Sequence, residues 1–215
     1  MLMNKYSCDG FRYFLLKASV PHSDTNYSEV KIHRMLNAEL ADTLGNLLNR
    51  ACARALNPKQ VFPHFSHEAF QKLTESNVRH LIEETSILPE KVQQHFLEGY
   101  FYRGLDCIMA CLRDTNAFMQ FNKPWELAKH TDNDSKEKLS TILHIALEVL
   151  RISGILLQPV IPTLSSSLLT RLGVPEDKRG WHNLQCFESY CNLHNPLVGQ
   201  SLTPSSIPLF ERRKQ

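Results

Sequence analysis

The segment that most constrains the fold is residues 38–54, which reads AELADTLGNLLNRACAR. Its apolar side chains recur at steps of three and four residues, and no proline interrupts them. The stripe consists of Leu40, Leu44, Leu47, Leu48 and Ala51. This spacing is typical of an amphipathic helix that packs one face against a core. The chain is therefore expected to supply further helices that cover the stripe.

The opposite face of this helix is polar, and on it Asn46 and Arg50 stand four residues apart, one above the other. One interpretation is an ordinary solvated face, since exposed Asn and Arg are common. The other is a hydrogen-bonding site for a base, because an amide together with the rigid set of N–H donors of a guanidinium can bind the edge of a base. Periodicity alone does not choose between the two.

Composition limits the classes of function. The chain has 215 residues, with 24 Lys and Arg against 22 Asp and Glu. Binding of nucleic acid would therefore depend on a local surface and not on an overall basic field. The six cysteines are scattered, which favours reduced thiols over a disulfide framework. Cys107 and Cys111 have no second ligand pair at metal-site spacing, so no metal site is predicted.

Helical periodicity recurs along the chain and predicts an all-α bundle of about five helices. Asn57-Pro58 ends the first helix and Pro89 opens the third. Asp24 or Ser28 is expected to cap the first helix, and Asp134 or Ser135 the fourth. The predicted helices cover residues 28–56, 67–85, 89–121, 136–157 and 163–172.

The two ends of the chain differ from the bundle. Residues 1–23 hold a crowded apolar run, FRYFLL, which requires a sheet or a core to pack against. Residues 24–173 form the predicted bundle, and residues 174–215 are expected to be a loosely ordered tail. No uninterrupted apolar run is long enough to span a bilayer, and no targeting peptide is recognisable, so no membrane partner is expected.

Trp125 follows Pro124 in the polar stretch KPWELAK. A tryptophan is often a core residue, but these neighbours indicate that part of the indole reaches the surface. An indole held at the surface is a platform on which an unpaired base can stack. The sequence has no Gly-rich phosphate loop and no nucleophile–base arrangement, so no catalytic residue is predicted.

Five segments together resemble the C-terminal region of methionyl-tRNA synthetases, in particular the bacterial-like mitochondrial form of animals. They are DGFRYFLL at 9–16, D-x-x-Y-S at 24–28, LNAELADTLGNLLNR at 36–50, N-x-F-x-x-x-x-x-P-W-x-L-A-K at 116–129, and LLQPVIPTLSSSLLTRLG at 156–173. The resemblance implies the anticodon-binding helical bundle of a class I synthetase. The HIGH and KMSKS motifs of the family's active site are not in this sequence, so a piece without the catalytic domain, inactive by itself, is expected.

The resemblance also implies a site and partners. Asn46 and Arg50 would hydrogen-bond the cytosine of the CAU anticodon of tRNA(Met), and Trp125 would stack on it or shape its pocket. Pro124 and Asn49 would support them. The implied partners are the anticodon loop and the enzyme's catalytic domain. This chain would need no cofactor, whereas the full enzyme would use ATP and methionine. The implied compartment is the mitochondrial matrix.

Two alternatives remain open at this stage. The first is a helical interaction or assembly module without RNA binding, in which Asn46, Arg50 and Trp125 would not share a surface. The second is the equivalent domain of a related class I synthetase, such as that for Cys, Ile, Leu or Val. The combination of N-L-x-x-R with P-W argues against the second.

Overall fold

Helices form all the regular secondary structure in the part of the chain that the computed structural model describes, residues 5–21, 27–73, 76–184 and 195–213. The predicted all-α bundle is thereby confirmed. The only strand-like feature within these ranges is one isolated bridge between Val61 and Ser201. The helices are α1 (Cys8–Ala18), α2 (Glu29–Leu36), α3 (Asn46–Ala51), α4 (His67–Lys72), α5 (Ser76–Leu97), α6 (Phe101–Asn122), α7 (Pro124–Leu127), α8 (Asn133–Leu157) and α9 (Pro162–Arg171).

Helix α8 is the centre of the bundle. Every residue from Thr141 to Leu157 is buried, which agrees with the apolar character of this segment on all sides. The helix is long and apolar enough to cross a membrane, but 89% of its most apolar window is covered by other parts of the protein. It also buries an ion pair in which Arg151 Nε lies 3.0 Å from both carboxylate oxygens of Glu148. Its cap is Asp132, which accepts from Ser135 N at 2.8 Å, and not Asp134 or Ser135 as predicted.

The segment that contains most of residues 38–54 forms one continuous helical rod from Glu29 to Ala51. It consists of α2, a nine-residue π-helical segment (Asn37–Gly45) and α3. Ser28 caps its start, whereas the alternative cap, Asp24, lies outside the described residues. The sequence predicts the rod but not its π-helical part. With i→i+5 bonding the apolar stripe still has a helical spacing, so the sequence pattern does not distinguish this part from an α-helix.

Helices α5 and α6 divide the chain differently from the sequence prediction. The start of a helix at Pro89 is wrong, because α5 continues through this proline. The break comes instead at Gly99, whose φ of +80° suits glycine, and α6 begins at Phe101. A Cβ on Gly104 would lie only 2.5 Å from the Phe96 ring, so this glycine allows close packing of the two helices. Pro89 removes one backbone hydrogen bond of α5, yet the helix continues to Leu97.

The apolar run near the N-terminus forms helix α1 and does not need a sheet. Ser7 caps the helix by accepting from Gly10 N at 3.1 Å, and Tyr13 is fully buried. Asp9 accepts from Leu164 N at 2.7 Å, and Arg12 donates through Nε to the Val160 carbonyl at 3.0 Å. The helix is therefore fixed to the corner between α8 and α9. The domain boundaries at residues 23 and 173 stay predictions.

The expectation of a loose tail is wrong for residues 195–213. Phe62 N donates to Gln200 O at 2.8 Å, and Leu202 N donates to Gln60 O at 2.8 Å. Further along, Phe210 is buried, and the Asn37 side chain exchanges two hydrogen bonds with the backbone of Arg213. Isolated apolar residues among prolines and serines give no periodic signal, so the sequence did not reveal this packing. Cys186 and Cys191 fall outside the described residues.

Candidate nucleic-acid interface

Arg50 and Trp125, from distant parts of the chain, are in contact. The Arg50 Cζ atom lies 5.4 Å from the centroid of the Trp125 ring, within the range of a cation–π interaction. Both residues are half-buried, so each keeps part of its surface open to solvent. An aromatic face and a guanidinium are thus presented together at the surface of the bundle.

A sharp turn between α6 and α7 sets the position of Trp125. Lys123 ends α6 in the left-handed region with φ 44°. Pro124 follows at the first position of α7, where its fixed φ and missing N–H fit, and its ring is buried. Glu126 N donates to Lys123 O at 2.8 Å and closes the turn. The indole is therefore held on a short, well-anchored helix against the core.

The other partners of Arg50 are on α6. Its Nη1 donates to Asn116 Oδ1 at 3.5 Å and its Nη2 donates to Gln120 Oε1 at 3.4 Å. Both bonds are long and therefore weak. No carboxylate within the described ranges pairs with Arg50. Because a guanidinium carries five N–H donors, most of its capacity is left for a ligand.

The two asparagines of α3 are placed differently. Asn46 lies one helical turn before Arg50, is exposed, and forms no side-chain hydrogen bond with any described residue. It therefore offers a free donor and a free acceptor on the same face. Asn49 is also exposed, but it lines a separate cleft of about 480 Å³ with Arg54 and Arg171. Of the predicted site residues, Arg50, Trp125 and Pro124 come together with Asn46 beside them, whereas Asn49 does not.

A larger groove of about 560 Å³ begins next to this site. Ala55, four residues after the end of α3, and Ala128, directly after α7, both line it. Its wall includes the apolar side chains Leu56, Phe62, Leu139 and Leu143, and its charged or titratable side chains are Lys59, His64, His130 and Lys136. The lining itself has no acidic side chain, but its residue His64 pairs with Glu137, with 2.8 Å between Nε2 and Oε2. Sequence reasoning missed the groove, because its walls come from segments that are far apart in the chain.

Two cysteines of the bundle are buried thiols with raised pKa values. Cys8, Cys52, Cys107 and Cys111 are free thiols. Burial raises the pKa of Cys52 to about 12 and that of Cys111 to about 11, so both stay protonated near neutral pH. Within the described ranges no three metal-ligating side chains cluster.

Comparisons with known proteins show which proteins the chain resembles. A family model described as class I (M) tRNA synthetases matches residues 1–52. The mitochondrial methionine–tRNA ligase of Takifugu rubripes is 41% identical over 96% of the chain and 36% of its own length. The human protein of the same name is 39% identical over 99% of the chain and 37% of its own length. The chain thus spans little more than a third of these relatives.

A solved structure gives the same result. The apo form of Mycobacterium tuberculosis methionyl-tRNA synthetase superposes with a TM-score of 0.83 at 26% sequence identity. The superposition covers the whole of this chain and 40% of that protein. The match therefore includes the helices that carry Arg50 and Trp125.

Proposed function

The chain belongs to the methionyl-tRNA synthetase family, and from that premise we propose that its bundle recognises the CAU anticodon of methionine tRNA. The recognised group would be an unpaired cytosine, the first anticodon base. Sequence-specific recognition of RNA commonly uses such unstacked loop bases, held by stacking and by hydrogen bonds to their edges.

The observation that carries the proposal is the contact between Arg50 and Trp125 at an open surface. The exposed part of the indole offers a stacking surface for the base. The unused N–H groups of Arg50 match the O2 and N3 acceptors of cytosine, and the Asn46 side-chain oxygen can accept from its amino group. A uracil at the same place would present an N–H to the guanidinium, which supports selectivity for cytosine.

The adjoining groove supports a longer contact with the anticodon loop. Its apolar wall suits the faces of bases, and Lys59 and Lys136 suit the phosphates that connect them. Lys59 and Lys136 supply local positive charge there, although His64 is paired with Glu137 and the whole chain has a net charge of only +2. We infer that nucleotides next to the cytosine lie along this groove.

In the longer protein, the proposed role of this region is to select the tRNA. The catalytic domain would be its partner within that protein and would use ATP and methionine to form methionyl-tRNA. The names of the relatives support a mitochondrial location, and we propose the matrix as the compartment. The bond chemistry is not assigned to any residue of this chain.

The test is the affinity of the 215-residue chain for an RNA stem-loop with a CAU loop and for the same stem-loop with the cytosine replaced by uracil. The proposal predicts at least about tenfold weaker binding of the altered loop. Arg50→Ala should abolish most of this difference. Arg54→Ala removes the same charge from the neighbouring cleft and serves as the matched control. Equal affinity for both loops would reject the proposal in favour of an assembly module.

A further inference from the structure

The side chain of Asn116 has an orientation that its surroundings fix. Its Nδ2 donates to the carbonyls of Thr43 and of Leu112, both at 3.1 Å. Because both partners can only accept, the amide nitrogen must face them. The oxygen is thereby turned towards Arg50, whose Nη1 lies 3.5 Å away. Exchanging the amide nitrogen and oxygen would place the oxygen against two carbonyl oxygens and the nitrogen against the guanidinium, so none of the three hydrogen bonds could form.

The Thr43 carbonyl belongs to the π-helical segment, directly before Asn46. Asn46 N, at the end of that segment, donates to the carbonyls of both Ala41 and Thr43. The Thr43 hydroxyl donates back to Ala38 O at 2.8 Å, which is five residues earlier. Asn116 therefore joins α6 to the turn that leads into Asn46, and the same amide contacts Arg50. Gln120, one turn further along α6, provides the second contact to the guanidinium.

We propose that Asn116 is a positioning residue for recognition of the first anticodon base. It holds the guanidinium of Arg50 against Trp125 and aligns Asn46 with it, so that both side chains meet the base in one geometry. Because the bonds to Arg50 are long, they restrict the guanidinium without using up its donors. This inference rests on the proposed function, since it names the residue that gives that site its selectivity.

The test is a double-mutant cycle with the CAU and UAU stem-loops. Asn116→Leu keeps the branched shape and the number of side-chain heavy atoms but removes every hydrogen bond, and it is measured alone and together with Arg50→Ala. If Asn116 acts through Arg50, the single change lowers the preference for CAU by roughly three- to tenfold, and its effect on the affinity for CAU RNA is much smaller when Arg50 is absent. An equal loss of affinity for CAU RNA in both backgrounds would contradict the inference.

Two further variants separate positioning from folding. Asn116→Ser can still donate to the Leu112 carbonyl, as serine does within helices, but it cannot reach Arg50. It should retain the fold and still lose the preference for CAU. Asn122→Leu removes a similar side-chain bond, to Phe118 O at 3.0 Å, from the same helix and is expected to leave the preference unchanged. Melting temperature and helical circular dichroism are recorded for all variants.

The outcomes distinguish this inference from the proposed function. If the unmodified chain does not prefer CAU, the proposed function fails and Asn116 has no recognition to serve. If the unmodified chain prefers CAU and both Asn116 variants prefer it equally, the proposed function stands and the positioning role is rejected.

Discussion

The guanidinium of Arg50 lies over the indole of Trp125, with 5.4 Å between Cζ and the ring centroid. Arg50 is held by the rod that runs from α2 to α3, and Trp125 by the proline-led turn after α6. Both supports pack against α8, the buried centre of the bundle. The site therefore depends on tertiary packing, and its geometry is set before any ligand arrives.

Trp125→Ala should weaken binding of the CAU stem-loop by about 1–3 kcal/mol, because it removes a stacking surface. It should also lower the free energy of unfolding, since the half-buried indole packs against the core. Trp125→Phe keeps an aromatic face and should recover part of both losses. Titration with labelled RNA and chemical denaturation measure the two effects. Unchanged RNA affinity in the alanine variant would show that the indole is only a core residue.

Arg50→Lys separates charge from geometry. Lysine keeps the positive charge but lacks the planar donor fork, so the preference for CAU over UAU should fall by about 1–3 kcal/mol. The dependence of affinity on salt concentration should stay nearly the same, because the number of neutralised phosphates does not change. Binding of both RNAs across a range of salt concentrations tests this. A full preference in the lysine variant would contradict base recognition by the guanidinium.

Charge reversal at the groove should change the salt dependence of binding but not the preference for CAU, in contrast to Arg50→Lys. Lys59→Glu and Lys136→Glu should weaken binding of CAU and UAU stem-loops alike, and each should lower the salt slope by about 0.7 for a lost phosphate contact. Lys31→Glu, on the exposed side of α2 and outside the groove, is the matched control. If all three variants behave alike, the RNA does not follow the groove.

His144 should make folding stability depend on pH. Burial lowers its pKa below the usual 6.5, although the bond to Pro63 O at 2.8 Å and nearby Glu148 act in the opposite direction. The unfolded chain therefore takes up a proton more readily than the folded one. Stability should be fully present above about pH 6.5 and should fall as the pH drops from there towards the lower folded pKa.

His144→Asn checks this pH effect, since its amide can still donate to the Pro63 carbonyl. The variant should be less stable than the original chain at pH 7.5, and the difference should shrink at pH 5.5. Urea denaturation at both pH values measures it. A difference that does not change with pH would mean that His144 titrates equally in the folded and unfolded states.

The sequence predicts the bundle well because its strongest signals are periodic. The stripe through Leu40, Leu44 and Leu48 predicts the rod, and the apolar segment around Val149 and Ile152 predicts the buried central helix. Local rules for where helices begin and end fail where tertiary packing decides whether a helix starts at a residue or continues through it. Pro89 does not start a helix because the contact between α5 and α6 carries the helix through it.

Only part of the candidate site can be predicted from the sequence. Spacing identifies Asn46 and Arg50 as neighbours, and Pro124 explains how Trp125 is presented. The roles of Asn116 and Gln120 depend on which helix faces α3, and periodicity does not reveal that pairing. The groove and the packed end around Phe210 likewise join residues from distant segments, so they become visible only in three dimensions.

The fluorescence of Trp125 during RNA binding tests the central claim most directly. The chain has two tryptophans, so Trp181→Phe leaves Trp125 as the only tryptophan, and excitation at a wavelength that tyrosine does not absorb reports on it alone. A base that stacks on the indole should quench this emission as the CAU stem-loop saturates the protein, and the UAU stem-loop should require a higher concentration for the same quenching. Emission that stays unchanged at saturating CAU RNA would contradict the account, because the RNA would then bind without contacting Trp125.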